Sequence, residues 1–378
     1  MEYRKMGVSQ KDVSLLGFGG MRFPVNEDGS IDELEAEKML DLAYNSGVNY
    51  FDTAYIYHGG ASEPFMGKVM KKYDRSTFNF ATKLPVWMVK NTEDADRIFK
   101  DQCEKLQTDY IDFYLLHALN SHAWENVKKQ GILEWAVNLK REGKIKNLGF
   151  SFHDGFPAFE KIITSHDWDF CQIQYNYMDQ NEQAGNKGYE LAEKLGIPLV
   201  IMEPVKGGSL ANLPDSFSEI FRSVDSSASN ASFAFRWVGS HPNVKVVLSG
   251  MSTMEQVEDN IKTFSDFMPI DEEDENAIQM VSEEFKKRVK NGCTECFYCI
   301  PCPNGVLIPR NFNLWNQLAM FKEPTAISFQ WFELPEEQRA GNCVECGECE
   351  TKCPQKISIM QDLKEVAKEM AKLPLPPH

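Results

Sequence analysis

Short apolar segments alternate with longer amphipathic segments between residue 15 and about residue 265. In the longer segments, apolar residues recur every three or four positions, as at Ala36, Met39, Leu40 and Ala43, which is typical of a helix with one buried face. We therefore predict eight strand-then-helix units, whose strands lie near residues 15–21, 50–52, 78–82, 111–116, 145–150, 170–174, 198–202 and 244–248.

This regular alternation predicts an α/β fold. Strands separated by helices pair in parallel through right-handed crossovers. Eight units fit a (β/α)8 TIM barrel better than an open doubly wound sheet. A dinucleotide-binding doubly wound sheet would also place G-x-G-x-x-G after its first strand, and Gly17-Phe18-Gly19-Gly20 does not supply that motif. We predict that the barrel spans residues 1–265.

The predicted strands end in polar side chains. Active sites of barrel enzymes lie at the carboxyl ends of the strands. Each polar residue alone could be an ordinary strand end or a helix cap, but seven in succession predict a lined pocket at one rim of the barrel. These residues are Asp52, Lys83, His117, Ser151, Gln174, Glu203 and Ser249.

Asp52, Tyr57, Lys83 and His117 suit acid–base chemistry on a carbonyl group. A tyrosine has an ordinary pKa of about 10, so Tyr57 holds a proton that it can donate. We expect the Lys83 ammonium to ease release of that proton, Asp52 to hold Lys83 charged, and a neutral His117 to orient the substrate. Such a group can protonate a carbonyl oxygen while hydride reaches the carbon.

Three segments carry a resemblance to a known family. Phe51-Asp52-Thr53-Ala54-x-x-Tyr57, Thr82-Lys83 and Leu115-Leu116-His117 resemble the Asp/Tyr/Lys/His tetrad of the aldo-keto reductases. The resemblance implies that Tyr57 is the general acid, that the cofactor is NADP or NAD, and that the substrate is a small carbonyl compound. The cofactor contacts that it implies are Gly19, Gly20, Met21, Asp52, Ser151, Gln174, Met202, Glu203, Lys206, Gly207, Gly250, Ser252, Gln256 and Asn260.

Two segments depart from the family pattern. After the fifth strand the chain has Ser151-Phe152-His153, where the family usually has Ser-Asn, so one contact to the cofactor carboxamide is in doubt. Residues 249–260 contain no Lys or Arg, although the family site for a 2′-phosphate is typically basic and Arg is a natural partner for phosphate. NADPH use, NADH use and weak cofactor binding therefore all stay open.

Eight of the ten cysteines form two groups near the C-terminus. The second group matches the bacterial ferredoxin pattern, and the first is one residue shorter in its last gap. Zinc would need only pairs of cysteines, and disulfides are disfavoured in a reducing compartment. We therefore predict a mainly helical, ferredoxin-like domain over residues 266–378 with two [4Fe-4S] clusters. The groups are Cys293-x2-Cys296-x2-Cys299-x2-Cys302-Pro303 and Cys343-x2-Cys346-x2-Cys349-x3-Cys353-Pro354.

The cysteine spacing also suggests which thiolates share a cluster. In two-cluster ferredoxins the fourth Cys of each run binds the other cluster. On that rule one cluster is held by Cys293, Cys296, Cys299 and Cys353, and the other by Cys343, Cys346, Cys349 and Cys302.

Charge and composition narrow the range of partners. The net charge of −16 argues against nucleic acid or an anionic membrane surface as the main partner. The chain has no apolar run of about 18 residues, the length that a membrane helix needs. Residues 1–5 lack the apolar core of a secretory signal, so we predict a cytoplasmic protein.

The sequence as a whole predicts an oxidoreductase that resembles the branch of the family with a ferredoxin-like tail. A hydride carries two electrons, whereas each cluster passes one, and no flavin motif is visible. The clusters could serve as an electron relay to a redox partner protein, or serve structure or sensing. The alternative is an iron–sulfur electron-transfer protein on a barrel scaffold with little or no NAD(P)-dependent turnover.

Overall fold

The computed structural model of the chain describes residues 1–6, 10–322 and 324–375. Its contacts divide the chain into two compact units. The barrel unit consists of Met1–Pro204 and Ala231–Ile270, and the tail unit consists of Val205–Asn230 and Asp271–His378. The predicted domain boundary between residues 265 and 266 stays a prediction. Val205–Asn230 groups with the tail unit, although these residues precede the predicted boundary.

The described residues form ten strands and fifteen α-helices. The strands are β1 (Tyr3–Met6), β2 (Lys11–Ser14), β3 (Leu16–Gly19), β4 (Tyr50–Asp52), β5 (Asn79–Leu84), β6 (Ile111–Leu119), β7 (Ile145–Phe152), β8 (Phe170–Gln174), β9 (Leu199–Met202) and β10 (Val244–Ser249). The helices are α1 (Glu33–Asn45), α2 (Ser62–Met70), α3 (Thr92–Leu106), α4 (Ser121–Lys129), α5 (Ile132–Arg141), α6 (Phe156–Ile163), α7 (Gly185–Leu195), α8 (Asp215–Val224), α9 (Asn230–Gly239), α10 (Met254–Ser265), α11 (Glu272–Arg288), α12 (Ile308–Phe321), α13 (Pro324–Glu333), α14 (Glu348–Lys352) and α15 (Ile359–Met370).

Strands β3 to β10 close into a parallel barrel in the order β10-β3-β4-β5-β6-β7-β8-β9. This confirms the predicted (β/α)8 architecture. Tyr50, Phe113 and Phe170 lie at or near the first residues of their strands and form a buried cluster inside the barrel. Met6 and Val13, from the antiparallel β1–β2 hairpin, belong to the same cluster. The hairpin therefore closes the end of the barrel opposite to the strand ends that carry the polar residues.

One predicted helix of the barrel unit is two helices. The pattern predicts a single helix near residues 124–141, but α4 ends at Lys129 and α5 begins at Ile132. Gly131 between them has a φ of +70°, a conformation that glycine adopts at little cost. The apolar spacing continues across this turn, which is why the sequence pattern alone misses it.

The tail unit is mainly helical, as predicted, and has its own core. This core contains Phe312 and Trp315 of α12, Trp331 of α13, and Leu363 and Val366 of α15. The sequence pattern predicts two helices here, at residues 311–321 and 327–337, and these correspond to α12 and α13, each of which begins three residues earlier. Along the described residues of the whole chain, none of the helices combines the length and apolarity that a membrane span requires.

Candidate active site

The register of β4 and β5 brings Asp52 and Lys83 together at the rim. Lys83 Nζ donates hydrogen bonds to Asp52 Oδ1 at 2.6 Å, to Asp52 Oδ2 at 2.8 Å and to the carbonyl oxygen of Thr53 at 2.8 Å. The Lys83 and Asp52 side chains are 0% and 4% exposed. Three acceptors therefore fix one ammonium group in a buried site.

Burial acts on both members of this pair. It raises the pKa of Asp52 and lowers the pKa of Lys83, and in each residue the charge of the partner opposes the shift. A buried charge that loses its partner costs about 3–5 kcal/mol. The pair is therefore held together more strongly than an ion pair at the surface.

Tyr57 lies on the turn that follows β4. The Lys83 ammonium is 5.1 Å from the centroid of the Tyr57 ring, and the His117 ring centroid is 6.1 Å away at an interplanar angle of 79°. Burial raises the pKa of Tyr57 well above 10, the charges of Asp52 and Glu203 raise it further, and Arg22 lowers it. The net shift is opposite to the one expected from Lys83 alone, so the phenol keeps its proton at neutral pH.

His117 faces the same space from β6. Burial lowers its pKa well below 6.5, and the charges of Lys83 and His153 lower it further. The imidazole is therefore neutral, the form that orienting a carbonyl group requires. The Trp87 ring lies 5.1 Å from the His117 ring and is 51% exposed, so an apolar surface connects the imidazole with solvent.

A buried polar network supports the backbone of Lys83, and sequence reasoning missed it. Glu63 Oε1 accepts hydrogen bonds from Thr82 Oγ1 at 2.6 Å and from Gln102 Nε2 at 2.8 Å. Gln102 Nε2 also donates to the carbonyl oxygen of Lys83 at 3.0 Å, and Tyr114 donates to Gln102 Oε1 at 2.8 Å. Glu63 and Gln102 stand on helix faces that are otherwise apolar, and this pattern is the sequence signal that could have revealed a buried polar network.

Three residues expected to bind the cofactor already have protein partners. Ser151 Oγ accepts a hydrogen bond from the backbone N–H of Ala118 at 2.7 Å. Gln174 donates to Asp179 at 2.9 Å and accepts from Gln183 at 2.9 Å, so the amide is engaged on both sides. Asn260 donates to Ser249 Oγ at 2.8 Å. A cofactor amide would have to replace the partners of Gln174 or use other residues.

The glycines and methionines of the expected cofactor site lie on several strand ends. Gly19 pairs with Asp52 in the β3–β4 register, and the N–H of Gly20 donates to the carbonyl oxygen of Asp52 at 2.7 Å. Met21 follows on the same loop. Met202 Sδ lies 3.5 Å from Gln172 Nε2, and the carbonyl oxygen of Glu203 accepts from Asn176 at 3.1 Å.

The Arg22 side chain lies next to Gly250, in the segment of residues 249–260 that contains no Lys or Arg. Ser252 Oγ donates to the carbonyl oxygen of Arg22 at 2.8 Å, and Ser252 N donates to Gln256 Oε1 at 2.7 Å. A Cβ at Gly250 would lie 3.2 Å from the Arg22 side chain. Residues 249–260 alone give no sign of this cation, because Arg22 comes from the loop after β3, which is distant in the sequence.

Lys206 and Gly207 belong to the tail unit, on the turn Lys206–Gly208. Lys206, Gly207 and Gly208 have positive φ angles of +50°, +66° and +100°. The N–H groups of Gly208 and Ser209 donate to carbonyl oxygens within the turn and its preceding residue. An anion at this turn would therefore meet side chains rather than those two backbone donors.

The cysteines of the two groups lie close together in the tail unit. Burial, with smaller contributions from the charges of Cys296, Cys353 and Cys349, raises the pKa of Cys299 to about 12. Cys353 of the second group is thus a neighbour of Cys299 of the first. Cys302 of the first group lines a small cavity together with three cysteines of the second, Cys343, Cys346 and Cys349. Because Cys349 also acts on Cys299, the crossed assignment of the eight cysteines stays a prediction.

The donor set fits iron–sulfur clusters better than a single metal ion. Cysteine thiolates are the usual ligands of four-iron clusters, whose own sulfides bridge the irons. A zinc ion instead needs four ligands that converge on one atom. Among residues 1–6, 10–322 and 324–375, no group of three or more His, Cys, Asp or Glu side chains is arranged to hold one metal ion.

Comparisons with known proteins agree with both units. Residues 15–283 match the model of the aldo/keto reductase family, and residues 292–358 match a 4Fe-4S dicluster domain. A probable aldo-keto reductase of Glycine max is 25% identical over 54% of this chain, and the match covers 59% of that protein, which is less than two thirds of its length.

Solved structures resemble the barrel. The holo form of an aldo-keto reductase from Bacillus halodurans has a TM-score of 0.64 and 26% identity, over 74% of this chain and 96% of that one. An aldo-keto reductase from Klebsiella pneumoniae in complex with NADPH has a TM-score of 0.61 over 75% of this chain and 96% of that one. Its identity of 19% establishes likeness of fold alone.

Proposed function

Because the chain belongs to the aldo/keto reductase family and carries a 4Fe-4S dicluster domain, we propose that it reduces an aldehyde or ketone with a nicotinamide cofactor. The observation that carries the proposal is the buried Lys83–Asp52 pair beside Tyr57, with Lys83 Nζ 5.1 Å from the phenol ring. Tyr57 is the general acid, Lys83 and Asp52 assist it, and His117 positions the carbonyl group.

The roles follow from the charge state of each residue. The reduced nicotinamide, when bound, supplies a hydride to the carbonyl carbon. The Tyr57 phenol donates its proton to the carbonyl oxygen as negative charge develops there, and the phenolate recovers a proton from water. The Lys83 ammonium stabilises the phenolate, and Asp52 keeps Lys83 charged in its buried site. The neutral His117 imidazole donates a hydrogen bond to the carbonyl oxygen.

Residues of the barrel unit offer contacts for the cofactor. Ser151 and Gln174 are the candidates for the carboxamide, and Arg22, Gly250 and Ser252 lie together at the ends of β3 and β10. Arg22 provides the charge that residues 249–260 lack, and Arg is well suited to phosphate. The NADPH complex of the Klebsiella pneumoniae protein supports a nicotinamide cofactor. The binding of NADPH and the binding of NADH are both to be measured.

We propose that the tail unit holds two [4Fe-4S] clusters in crossed ligation. The cavity that Cys302 lines together with Cys343, Cys346 and Cys349 supports this assignment. Each cluster passes one electron, so a relay from the clusters would require two single-electron steps for each hydride equivalent.

The test is cofactor oxidation by anaerobically purified protein with a panel of aldehydes and ketones. Tyr57→Phe should lower kcat/KM by about 10²–10⁴-fold, the usual contribution of a general acid, while the Kd for the cofactor changes little. Tyr55→Phe is the matched control on the same turn, and it should keep the wild-type rate. A Tyr57→Phe protein that retains its rate within a few-fold contradicts the proposed role.

A second candidate function is electron transfer without nicotinamide turnover. Two observations favour it: the amide of Gln174 is engaged by Asp179 and Gln183, and residues 249–260 contain no Lys or Arg. On this account the clusters accept electrons from dithionite, yet neither NADPH nor NADH binds. Measurable binding of either nucleotide to the barrel would contradict it.

A further inference from the structure

Glu63 is a buried carboxylic acid that the proposed mechanism does not use. It stands in the first turn of α2 and is 0% exposed. Its Oε1 atom accepts hydrogen bonds from Thr82 Oγ1 at 2.6 Å and from Gln102 Nε2 at 2.8 Å. Successive side chains of a strand point to opposite faces, so Thr82 turns towards α2 while Lys83 turns towards Asp52. The two acids therefore lie on opposite sides of the strand that carries Lys83.

The hydrogen bonds around Glu63 favour its ionised form. Gln102 Nε2 also donates to the carbonyl oxygen of Lys83 at 3.0 Å, and a carbonyl oxygen only accepts, so the Gln102 amide cannot turn over. Among the residues that the structure describes, Glu63 Oε2 has no hydrogen-bond partner. A proton on Oε2 would therefore be a buried donor without an acceptor, which is unfavourable. The first turn of α2 adds to this preference, because a helix N-terminus favours negative charge.

Burial opposes the charge on Glu63, and the neighbouring charges act in both directions. Burial raises the pKa of Glu63, and the two hydrogen bonds to Oε1 lower it. The charge of Lys105 also lowers this pKa, whereas the charge of Asp101 raises it. Lys105 Nζ lies 2.8 Å from Asp101 Oδ2, so these two charges oppose each other at Glu63. Two further groups face Glu63 and keep their protons at neutral pH, because burial raises the pKa of each: Cys103 and Tyr114.

Lys83 is the group on which the Glu63 charge acts. Burial lowers the pKa of Lys83, the charge and the hydrogen bonds of Asp52 raise it, and the charge of Glu63 raises it as well. Tyr57 and His117 face Lys83 from the turn after β4 and from β6, and both are uncharged at neutral pH. Asp52 does not restore the ordinary pKa of the ammonium group, so a second carboxylate extends the pH range in which Lys83 is charged.

We propose that Glu63 is a positioning residue for carbonyl reduction: as a carboxylate on the helix side of β5 it keeps Lys83 charged, and Lys83 acts on Tyr57. Glu63 acts through Lys83 and has no assigned contact with the substrate or with the nicotinamide. The inference deepens the proposed function and rests on it. It gives Glu63 an electrostatic role in addition to its hydrogen bonds, and that role determines at which alkaline pH the enzyme loses activity.

The first experiment measures the pKa of Lys83 and needs no turnover. The full chain is labelled with lysine that carries a heavy carbon isotope at Cε, and the Lys83 signal is identified by its absence in Lys83→Arg. Nuclear magnetic resonance then follows this signal as pH rises. In Glu63→Gln the pKa of Lys83 should fall by at least about 0.5, which leaves about threefold less of the ammonium form above both pKa values. An unchanged pKa would overturn the inference.

The second experiment reads the same effect in the reaction. In Glu63→Gln the alkaline limb of the kcat/KM profile should move to lower pH, so the rate at alkaline pH, relative to that at neutral pH, falls at least about threefold. Thr82→Val is the matched control for structure, because it removes a hydrogen bond to Glu63 and leaves every charge in place. An equal shift of the limb in Thr82→Val would make the role structural and overturn the inference. Glu104→Gln removes the same charge from an exposed position of α3 and should keep the wild-type profile.

Infrared spectroscopy tests the charge of Glu63 itself. A protonated carboxyl group has a carbonyl stretching band that a carboxylate lacks, so Glu63→Asp should alter no such band at neutral pH. A band that shifts or disappears in Glu63→Asp would place a proton on Glu63 and overturn the inference. This variant keeps an acid at the position, so the measurement remains valid if Glu63→Gln does not fold.

The outcomes separate this inference from the proposed function. If the wild-type protein reduces carbonyls and Glu63→Gln changes neither the pKa of Lys83 nor the alkaline limb, the role of Glu63 is wrong and the reductase proposal stands. If the pKa of Lys83 falls in Glu63→Gln but the wild-type protein reduces no carbonyl, the proposed function fails. The positioning role then fails with it, although the two charges are coupled.

Discussion

The barrel unit and the tail unit position their chemical groups in different ways. In the barrel, Asp52, Lys83 and His117 extend from hydrogen-bonded strands, so the register of the sheet sets their separation. In the tail, the first cysteine group lies on the segment between α11 and α12, and most of the second lies outside α14. The first arrangement is preorganised by the chain alone, whereas we expect the second to depend on the group that the cysteines bind. We therefore expect loss of the bound group to affect the two units unequally.

The largest expected effect is the loss of a cluster ligand. Cys299→Ala should reduce the iron content from about eight to about four per chain and make the tail unit susceptible to protease, because binding of a metal group contributes directly to folding. The barrel should keep its circular-dichroism spectrum. Iron analysis and limited proteolysis of anaerobically purified protein measure both effects. Cys103→Ala, in α3, is the control and should keep all the iron; loss of barrel structure in Cys299→Ala would contradict the unequal dependence.

The next effect concerns the buried ion pair of the barrel. Lys83→Met leaves the Asp52 carboxylate buried without its ammonium partner, which should lower the free energy of unfolding by about 3–5 kcal/mol and abolish most turnover. Lys5→Met removes a pair with Asp12 in which the two side chains are 57% and 58% exposed, so it should cost about 1 kcal/mol or less. Urea denaturation gives both values, and equal losses would contradict the importance of burial.

A smaller effect compares the packing around one glycine inside the barrel unit with the packing around one glycine inside the tail unit. A Cβ at Gly67 in α2 would overlap the carbonyl oxygen of Lys105 at the end of α3, so Gly67→Ala should cost about 1–3 kcal/mol. Gly341 of the tail unit has no atom within 4 Å of an added Cβ. Gly341→Ala should change the stability by no more than about 0.5 kcal/mol. A reversed order in thermal denaturation would show that this difference in packing is misread.

The smallest expected effect is the response to pH. Carbonyl reduction requires Tyr57 protonated and His117 neutral, so activity is lost as pH rises through the raised pKa of Tyr57 or falls through the lowered pKa of His117. Burial also lowers the pKa of His153 to about 4. The kcat/KM should therefore stay constant from about pH 6.5, the ordinary pKa of histidine, up to the lowered pKa of Lys83, whose ammonium must also stay charged. An inflection inside this window would contradict the assigned protonation states.

The difference between groups placed by strands and groups placed by segments between helices also explains which features the sequence could predict. Strand ends such as Asp52, Lys83 and His117 follow from local periodicity, because a parallel barrel places all of its strand ends at one rim. Arg22 and Gln102 escape this reasoning, since their partners lie on elements that are distant in the chain. The break at Gly131 also escapes it, because apolar spacing continues through a two-residue turn. The cysteine spacing predicted the type of bound group but not the contact between Gly207 and Thr294, which depends on tertiary packing.

The most direct test of the central proposal is the fate of the transferred hydrogen. The anaerobically purified protein is given NADPH or NADH deuterated at the transferring position and a carbonyl substrate that the panel has identified. The proposed function predicts that deuterium appears on the carbonyl carbon of the alcohol in the wild-type protein and that Tyr57→Phe slows its appearance by about 10²–10⁴-fold. Alcohol without deuterium, or reduced clusters with no alcohol, would contradict the proposal that the barrel is a hydride-transferring reductase.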